Sequence, residues 1–307
     1  MQNILVIMGP TASGKSGLAL ETADLHNGEI ISADSMQLYR GLEIGTAQPS
    51  KEELAKVPHH LVGIWDISER ADVFTFQNLA DNAISDIRNR GKLAIVAGGT
   101  GLYLKNLLYG LDDMPGDREL RTQLDAMYDA PEKEEALKTR MAELDPHALE
   151  KFQLCRRRLI RALEVKLLTG KSILELQSNS SPKLRYTNIC AIKLEVSPEN
   201  LAEKIAVRAK KMLDNGWIEE AEKAINAGLF NTPTAHQALG YKIIGEYLDG
   251  SISKDKLYEK ICAATRQYAR RQRTWFRHQH PEAMAMTPEE AVKFISRSKD
   301  ILCMPHK

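Results

Sequence analysis

The sequence predicts an α/β protein, a doubly wound parallel sheet with a helical insertion domain, and three observations predict it. Short apolar, β-branched runs alternate with helix-forming stretches, the signature of a parallel sheet. The first of those runs feeds a glycine-rich loop that opens a helix. From about residue 114 to residue 182 the strands give way to charged, helix-forming sequence.

Taken in order, Ile4 to Met8 is wholly apolar and ends at Gly9, so it reads as a buried parallel strand, with a helix from about Lys15. Glu29 to Ala33 and Leu93 to Ala97 are the next strands, each followed by polar or glycine-rich residues where a sheet's carboxyl edge would lie, and Ile189 to Val196 is a further candidate. Ligands of such sheets bind beyond the carboxyl ends of the strands. The stretch from Met114 to Pro182 is broken at Pro131, Pro146 and Gly170. From Pro198 the chain is helical again, with turns near Gly216, Gly228, Gly240 and Gly250 and a long helix around Ser253 to Arg277. The expected organisation is a core of residues 1–113 and 183–307 around an insertion of residues 114–182.

The chain has 307 residues, 43% hydrophobic and 27% charged, enough for one large core and a smaller appendage and unlike a disordered protein. Its net charge of +1 gives no global warrant for nucleic-acid binding, so the placement of the cations must decide. Cys155, Cys190, Cys262 and Cys303 are scattered singly, without metal-ligand or redox spacing. No run reaches the roughly 18 apolar residues of a membrane span, and the amino terminus enters a strand directly, so a soluble cytoplasmic protein is expected.

Residues 9 to 16, G-P-T-A-S-G-K-S, satisfy the Walker A pattern between a strand and a helix, which makes the expected fold P-loop NTPase-like. Gly9 and Gly14 let the backbone wrap an anion, the amides and helix dipole point at it, Lys15 adds a point charge, and Ser16 can hold Mg²⁺. Most such loops serve transfer or hydrolysis of a nucleotide's terminal phosphoryl group. Many of those enzymes hold their metal with an Asp ending a second strand, whereas Leu93 to Ala97 runs into Gly98-Gly99-Thr100-Gly101. That weakens a motor-type NTPase and leaves a small-molecule kinase open.

The second strand delivers Asp34-Ser35-Met36-Gln37 to the carboxyl edge. Asp34 there is suited to accept a proton from an attacking hydroxyl or amine, or to bind Mg²⁺ through water. Ser35 and Gln37 offer donors and acceptors for a purine edge. The competing reading of Asp34 is an N-cap to a following helix. Arg266, Arg270, Arg273 and Arg277 are spaced by four, three and four, one stripe of a helix suited to a phosphate backbone, with Arg271, Tyr268 and Trp275 beside it. A solvated face paired with acids elsewhere is the alternative. Arg156, Arg157, Arg158 and Arg161 form a second cluster in the insertion.

These residues resemble the tRNA dimethylallyltransferases, or isopentenyl-tRNA transferases, the IPP transferase family. Seven motifs carry the resemblance along nearly the whole chain: G-P-T-A-S-G-K-S at 9–16, D-S-M-Q-L-Y-R at 34–40, I-G-T-A-Q-P at 44–49, V-P-H-H-L at 57–61, G-G-T-G-L-Y at 98–103, R-R-L-I-R-A-L-E-V at 157–165 and T-R-Q-Y-A-R-R-Q-R-T-W-F-R at 265–277. The resemblance implies transfer of the dimethylallyl group of dimethylallyl diphosphate to the N6 amine of the adenosine immediately 3′ of the anticodon, position 37 of the tRNA, with diphosphate leaving. It implies diphosphate binding by Gly9, Thr11, Ala12, Ser13, Gly14, Lys15, Ser16 and Arg208, Mg²⁺ at Ser16, and catalysis by Asp34 as base with Thr100 placing the adenine or the diphosphate. It implies tRNA contact by Ser35, Met36 and Gln37, by Arg157, Arg158, Leu159, Ile160 and Arg161, and by Arg266, Arg270, Arg273 and Arg277. The partners are then the tRNA anticodon stem-loop and dimethylallyl diphosphate, with no membrane, and a monomer is expected.

The sequence departs from the family at two places. Phe152-Gln153-Leu154-Cys155 replaces a His-Pro-Asn-Asp-like segment, and Lys204 stands where arginine is common. The rivals are an adenylate isopentenyltransferase, which would need neither the insertion nor the arginine stripe, a small-molecule kinase using ATP, and a non-catalytic RNA-binding protein, which intact Lys15, Ser16 and Asp34 argue against.

Overall fold

The computed structural model describes residues 4–110, 114–178, 184–280 and 282–297. Six strands form one all-parallel sheet, β1 (Ile4–Met8), β2 (Gly28–Ser32), β3 (His59–His60), β4 (Leu93–Gly98), β5 (Ile189–Leu194) and β6 (Met284–Met286), in the order β3-β2-β4-β1-β5-β6. The central strand β1 is buried at every residue, which is why its sequence is an unbroken apolar run rather than an alternating one.

Helices cover both faces. Leu5, Ile7, Ile30, Ile95 and Ile192 pack against Leu18, Ala19 and Ala23 of α1 (Lys15–Leu25) and Ala291 and Ile295 of a carboxyl-terminal helix, Pro288–Arg297. On the other face, the helix Val73–Asn89 lies against β2 and β4 and buries Phe76, Ala80, Ile84 and Ile87. The doubly wound α/β expectation is met. The strands fall within one or two residues of the sequence reading. The two edge strands β3 and β6 were not foreseen, since two or three residues carry no readable period. At the β3 edge, buried Glu29 accepts hydrogen bonds from Arg90, from Lys92 at 2.8 Å and from His60 Nε2 at 2.8 Å, with its carboxyl held well below the usual range, chiefly by Arg90.

The chain divides into two compact units, Met1–Leu108 with Arg185–Lys307, and Tyr109–Leu184. The expected boundaries at 113 and 182–183 lie outside the described residues, as does Cys303. Within the second unit, α2 (Arg118–Tyr128), α3 (Glu134–Leu144), α4 (Pro146–Phe152) and α5 (Arg156–Thr169) enclose a core of Leu124, Leu137, Met141, Leu159, Ile160 and Leu163. Asp145 caps α4 by accepting from Ala148 N–H at 3.1 Å, with Pro146 at the first helical position, and Gly170, at φ +71°, ends α5.

In the first unit, α6 (Pro198–Asp214), α7 (Trp217–Asn226), α8 (Tyr241–Leu248) and α9 (Lys254–Gln279) follow β5. The long helix foreseen around Ser253 to Arg277 is α9, with Ser253 as its N-cap. Among the described residues, no helix is long and apolar enough to cross a membrane.

Candidate active site

The carboxyl edge of the sheet brings two sequence motifs together because β1 and β4 are neighbours in register, with Met8 opposite Gly98. The phosphate loop leaves β1 beside the Gly98-Gly99-Thr100-Gly101 turn leaving β4. Glycine is required at 98, where a Cβ would collide with the backbone carbonyl of Ala33. That close approach lets Thr100 N–H donate to Ala33 O at 3.1 Å, just before Asp34.

The loop itself is tightly folded. Gly14 sits at φ +95° and Ala12 at φ +63°, a left-handed conformation uncommon for a residue with a side chain. Lys15 Nζ donates to Pro10 O at 2.6 Å. Burial brings the Lys15 amine down to about 7, with nearby Arg208 adding to the effect and Asp34 opposing it. Burial likewise lowers the Arg208 guanidinium, against the pull of Asp34. Arg208 Nη1 donates to Thr11 Oγ1 at 3.2 Å, so the residue stands against the loop although it is remote in sequence. Ser13 is fully buried and its hydroxyl has no partner among the described residues, an unmet polar atom in the wall of the cradle. Ser16 is exposed.

Asp34 does not cap a helix: its Oδ1 accepts from Met36 N–H at 3.0 Å within an irregular turn. Thr100 Oγ1 accepts from Ser35 N–H at 3.0 Å and donates to Ser35 Oγ at 3.3 Å, tying the β4 turn to the residue beside Asp34. Asp34, Ser35, Met36, Thr11 and Arg208 line one cavity of about 310 Å³ with Tyr268 and Arg271. The rest of that lining includes Ile205, Ala209, Met212, Trp217, Leu239 and Ile261. A space walled by a carboxylate, a guanidinium and loop residues on one hand, and by aliphatic and aromatic groups on the other, fits a ligand with an anionic head and an apolar body.

Gln37 departs from its expected use. Its Oε1 accepts from Ser32 Oγ at 2.7 Å, and its Nε2 donates to the carbonyls of Ala47 at 2.8 Å and Thr46 at 3.2 Å. The amide is therefore engaged inside the protein, bracing the 44–48 loop rather than presenting itself to a purine. Glu220 braces the same loop from α7, accepting from Ile44 N–H at 2.7 Å, Gly45 N–H at 2.8 Å and Tyr241 OH at 2.7 Å. Gly45 leaves no room for a Cβ against Trp217 and Tyr241. Glu220 and Trp217 were missed as site residues by sequence reasoning, for which the I-G-T-A-Q-P segment was the signal that something had to press on Gly45, whereas Tyr268, read beside the arginine stripe, lines the cavity.

On α9, Arg266, Arg270 and Arg277 are exposed and Arg273 is half-buried, and among the described residues none of the four forms an ion pair. Arg271 lies over the Tyr268 ring, 5.6 Å from its centroid. Arg273 and Arg277 line a second cavity, of about 250 Å³, with Pro10, Lys193, Glu195 and Ser197. The opposite face of α9 is buried through Ala269, Gln272 and Phe276. Gln272 accepts from Thr11 N–H and donates to Gly99 O, so this helix is bonded to both loops of the site.

The second unit treats its arginines differently. Arg157 and Arg158 are exposed, but Arg156 Nε pairs with Asp129 at 3.0 Å, and Arg161 bonds Glu164 at 2.7 Å and Met114 O at 3.1 Å. Leu159 and Ile160, expected at an RNA surface, are buried at 0% and 1% exposure in the core of the unit, so their side chains cannot reach RNA in this conformation. The helical period turns them inward when Arg157 and Arg158 face out.

A family model described as IPP transferase matches residues 37–279, and one described as isopentenyl transferase matches residues 2–69. The tRNA dimethylallyltransferase 1 of Citrifermentans bemidjiense is 44% identical over 275 residues, 89% of this chain and 88% of that protein. The full-length tRNA isopentenylpyrophosphate transferase from Bacillus halodurans superposes with a TM-score of 0.69 at 34% identity, covering 96% of this chain and 95% of that one. A eukaryotic dimethylallyltransferase captured acting on tRNA gives a TM-score of 0.79 at 28% identity, covering 94% of this chain and 75% of that one.

Proposed function

The chain belongs to the IPP transferase family, the tRNA dimethylallyltransferases, and on that premise we propose that it moves the dimethylallyl group of dimethylallyl diphosphate onto N6 of the adenosine immediately 3′ of the anticodon, at position 37 of the tRNA. We further propose that it acts as a single chain in the cytoplasm. The observation that carries the reaction is the shared cavity: Asp34 faces the same space as Thr11, Arg208 and an apolar wall. A base, anion ligands and room for an allyl group belong together only if the bond being made and the bond being broken lie within one pocket.

In this reading, the amides from Gly14 to Ser16 receive the diphosphate and the Ser13 hydroxyl donates to it. Lys15 takes up or keeps its proton against the anion, and Arg208 adds a second cation. Both matter most as charge builds on the departing diphosphate and the allylic carbon gains cation character. The adenine amine forms the new nitrogen–carbon bond as the carbon–oxygen bond breaks, and Asp34 takes the amine's proton. Mg²⁺ would neutralise part of the diphosphate charge. The exposed Ser16 hydroxyl fits its sparse protein ligation, which leaves most positions to phosphate oxygens and water. The adenine must leave its stack to reach Asp34, at lower cost in a hairpin loop than in a duplex. The exposed arginines of α9, and separately Arg157 and Arg158, suit the phosphates of the anticodon stem.

The test is transfer of radiolabelled dimethylallyl diphosphate, with Mg²⁺, to an unmodified anticodon stem-loop, with AMP and ATP as parallel acceptors. Label on the stem-loop alone is the expected outcome. Label on a free nucleotide would favour an adenylate isopentenyltransferase, and ATP turnover without transfer would favour a kinase.

A further inference from the structure

We propose that Gln272 is a positioning residue that couples the arginine face of α9 to the anion-binding half of the site, an inference that rests on the reading of α9 as an RNA-binding helix. Gln272 is 6% exposed, on the buried face of α9. Both ends of its amide are engaged, and on different loops. Oε1 accepts from Thr11 N–H at 2.7 Å in the phosphate loop after β1, and Nε2 donates to Gly99 O at 2.8 Å in the turn after β4. The contact is close enough to exclude side chains: a Cβ at Gly99 would collide with Gln272 Nε2, and one at Gly101 with the Trp275 ring, one helical turn further along.

The two bonds reach further through their partners. Thr11 also accepts from Arg208 through its hydroxyl, at 3.2 Å, so the Thr11 end of the amide bears on a cation of the site. Gly99 precedes Thr100, whose hydroxyl holds Ser35 next to Asp34. One side chain therefore sets the spacing between the anion ligands and the loop that carries the base. It occupies Thr11 N–H, and Ser13 N–H donates to Pro10 O at 3.3 Å, which leaves the amides from Gly14 onward to an anion. Arg270 and Arg273 flank it at two residues and one residue, turned away from the core. A backbone that joins outward arginines to an inward clamp cannot shift under a bound polyanion without moving Thr11 and Gly99.

The experiment uses the full chain with Gln272→Met, which preserves length and removes both hydrogen bonds, and Gly99→Ala, which presses on the same amide from the opposite loop. Affinity for inorganic diphosphate with Mg²⁺ is measured by calorimetry with and without saturating anticodon stem-loop, alongside stem-loop affinity and thermal stability. Loss of two hydrogen bonds is expected to weaken diphosphate binding about tenfold in both variants, to leave stem-loop affinity within about twofold, and to abolish the effect of one ligand on the other. Arg270→Ala should do the reverse, weakening the stem-loop and sparing diphosphate measured alone. Unchanged diphosphate affinity and unchanged coupling in Gln272→Met overturn the proposal, as does an equal loss for both ligands that tracks a fall in thermal stability. The wild-type transfer assay stands apart: its failure with the diphosphate results intact would remove the proposed reaction and leave the clamp in place.

Discussion

The two arginine clusters of this chain look alike in sequence and differ in the folded protein. Each gathers arginines on one helix, Arg266, Arg270, Arg273 and Arg277 as a stripe of α9, with Arg271 beside it, and Arg156, Arg157, Arg158 and Arg161 on α5. On α9 none of the four forms an ion pair among the described residues, although Glu195 lines the same cavity as Arg273 and Arg277, and Arg266, Arg270 and Arg277 are exposed. On α5 two of the four are taken by acids: Asp129, outside the helix, holds Arg156, and Glu164, three residues along the same helix and 1% exposed, holds Arg161 together with Arg121. A buried carboxylate needs cations around it, so Glu164 recruits arginines that would otherwise be surface charge. A run of like charge thus shows where a binding face can be, and the acids that fold against it determine how much of that face is left.

The contrast between chemistry at the sheet edge and binding on the arginine faces gives the largest expected effect. Asp34→Ala should lower single-turnover transfer about a thousandfold while stem-loop affinity stays within about twofold. A matching loss of affinity would merge the two roles. The pH dependence separates a buried cation from exposed ones. Lys15 has its pKa lowered on folding, so in the free protein it is charged below about 7 and loses its proton as pH rises through that value. Diphosphate affinity should accordingly be full at pH 6 and fall above pH 7, by up to about tenfold per unit, with proton uptake on binding at pH 8. Calorimetry in buffers of different ionisation enthalpy reads the uptake, and a flat profile would remove Lys15 as the titrating ligand.

Replacing Arg270 and Arg273 together with Ala should weaken the stem-loop about tenfold at moderate salt and lower the slope of log affinity against log salt by about two. An unchanged slope would make the α9 stripe a solvated face. The smallest effects test the division within α5. Arg157→Ala should cost about threefold in stem-loop affinity and little stability. Arg161→Ala should cost about 1–3 kcal/mol in chemical denaturation of the second unit, through the loss of its bonds to Glu164 and Met114 O. The opposite pattern, RNA loss from Arg161 and instability from Arg157, would break the comparison.

Several features of the site were legible because they are local. The strand, loop and helix of the phosphate cradle occupy Ile4 to Leu25, where hydrophobic run, glycines and lysine report the structure directly. Asp34 could be placed at a strand's carboxyl end because strands announce themselves by composition. The arginine stripe of α9 followed from the period of a helix. Positions that depend on a distant partner were read less well. Gln37 carries the donors and acceptors a purine would need, yet Ser32, Thr46 and Ala47 engage them. Leu159 and Ile160 share a motif with outward arginines, but α5 turns them into its core.

By itself, then, the sequence determined the four longer strands, the phosphate loop, the acid at the sheet edge and the periodic faces, since each arises from neighbours along the chain. Tertiary structure alone decided that Arg208 stands against Thr11, that Glu220 braces Gly45, that Arg121 from another helix meets Glu164, and that Gln272 joins two loops 261 and 173 residues away. The reason is physical: a buried polar group must find its hydrogen bonds wherever packing brings a partner, and no spacing along the chain encodes which partner that will be.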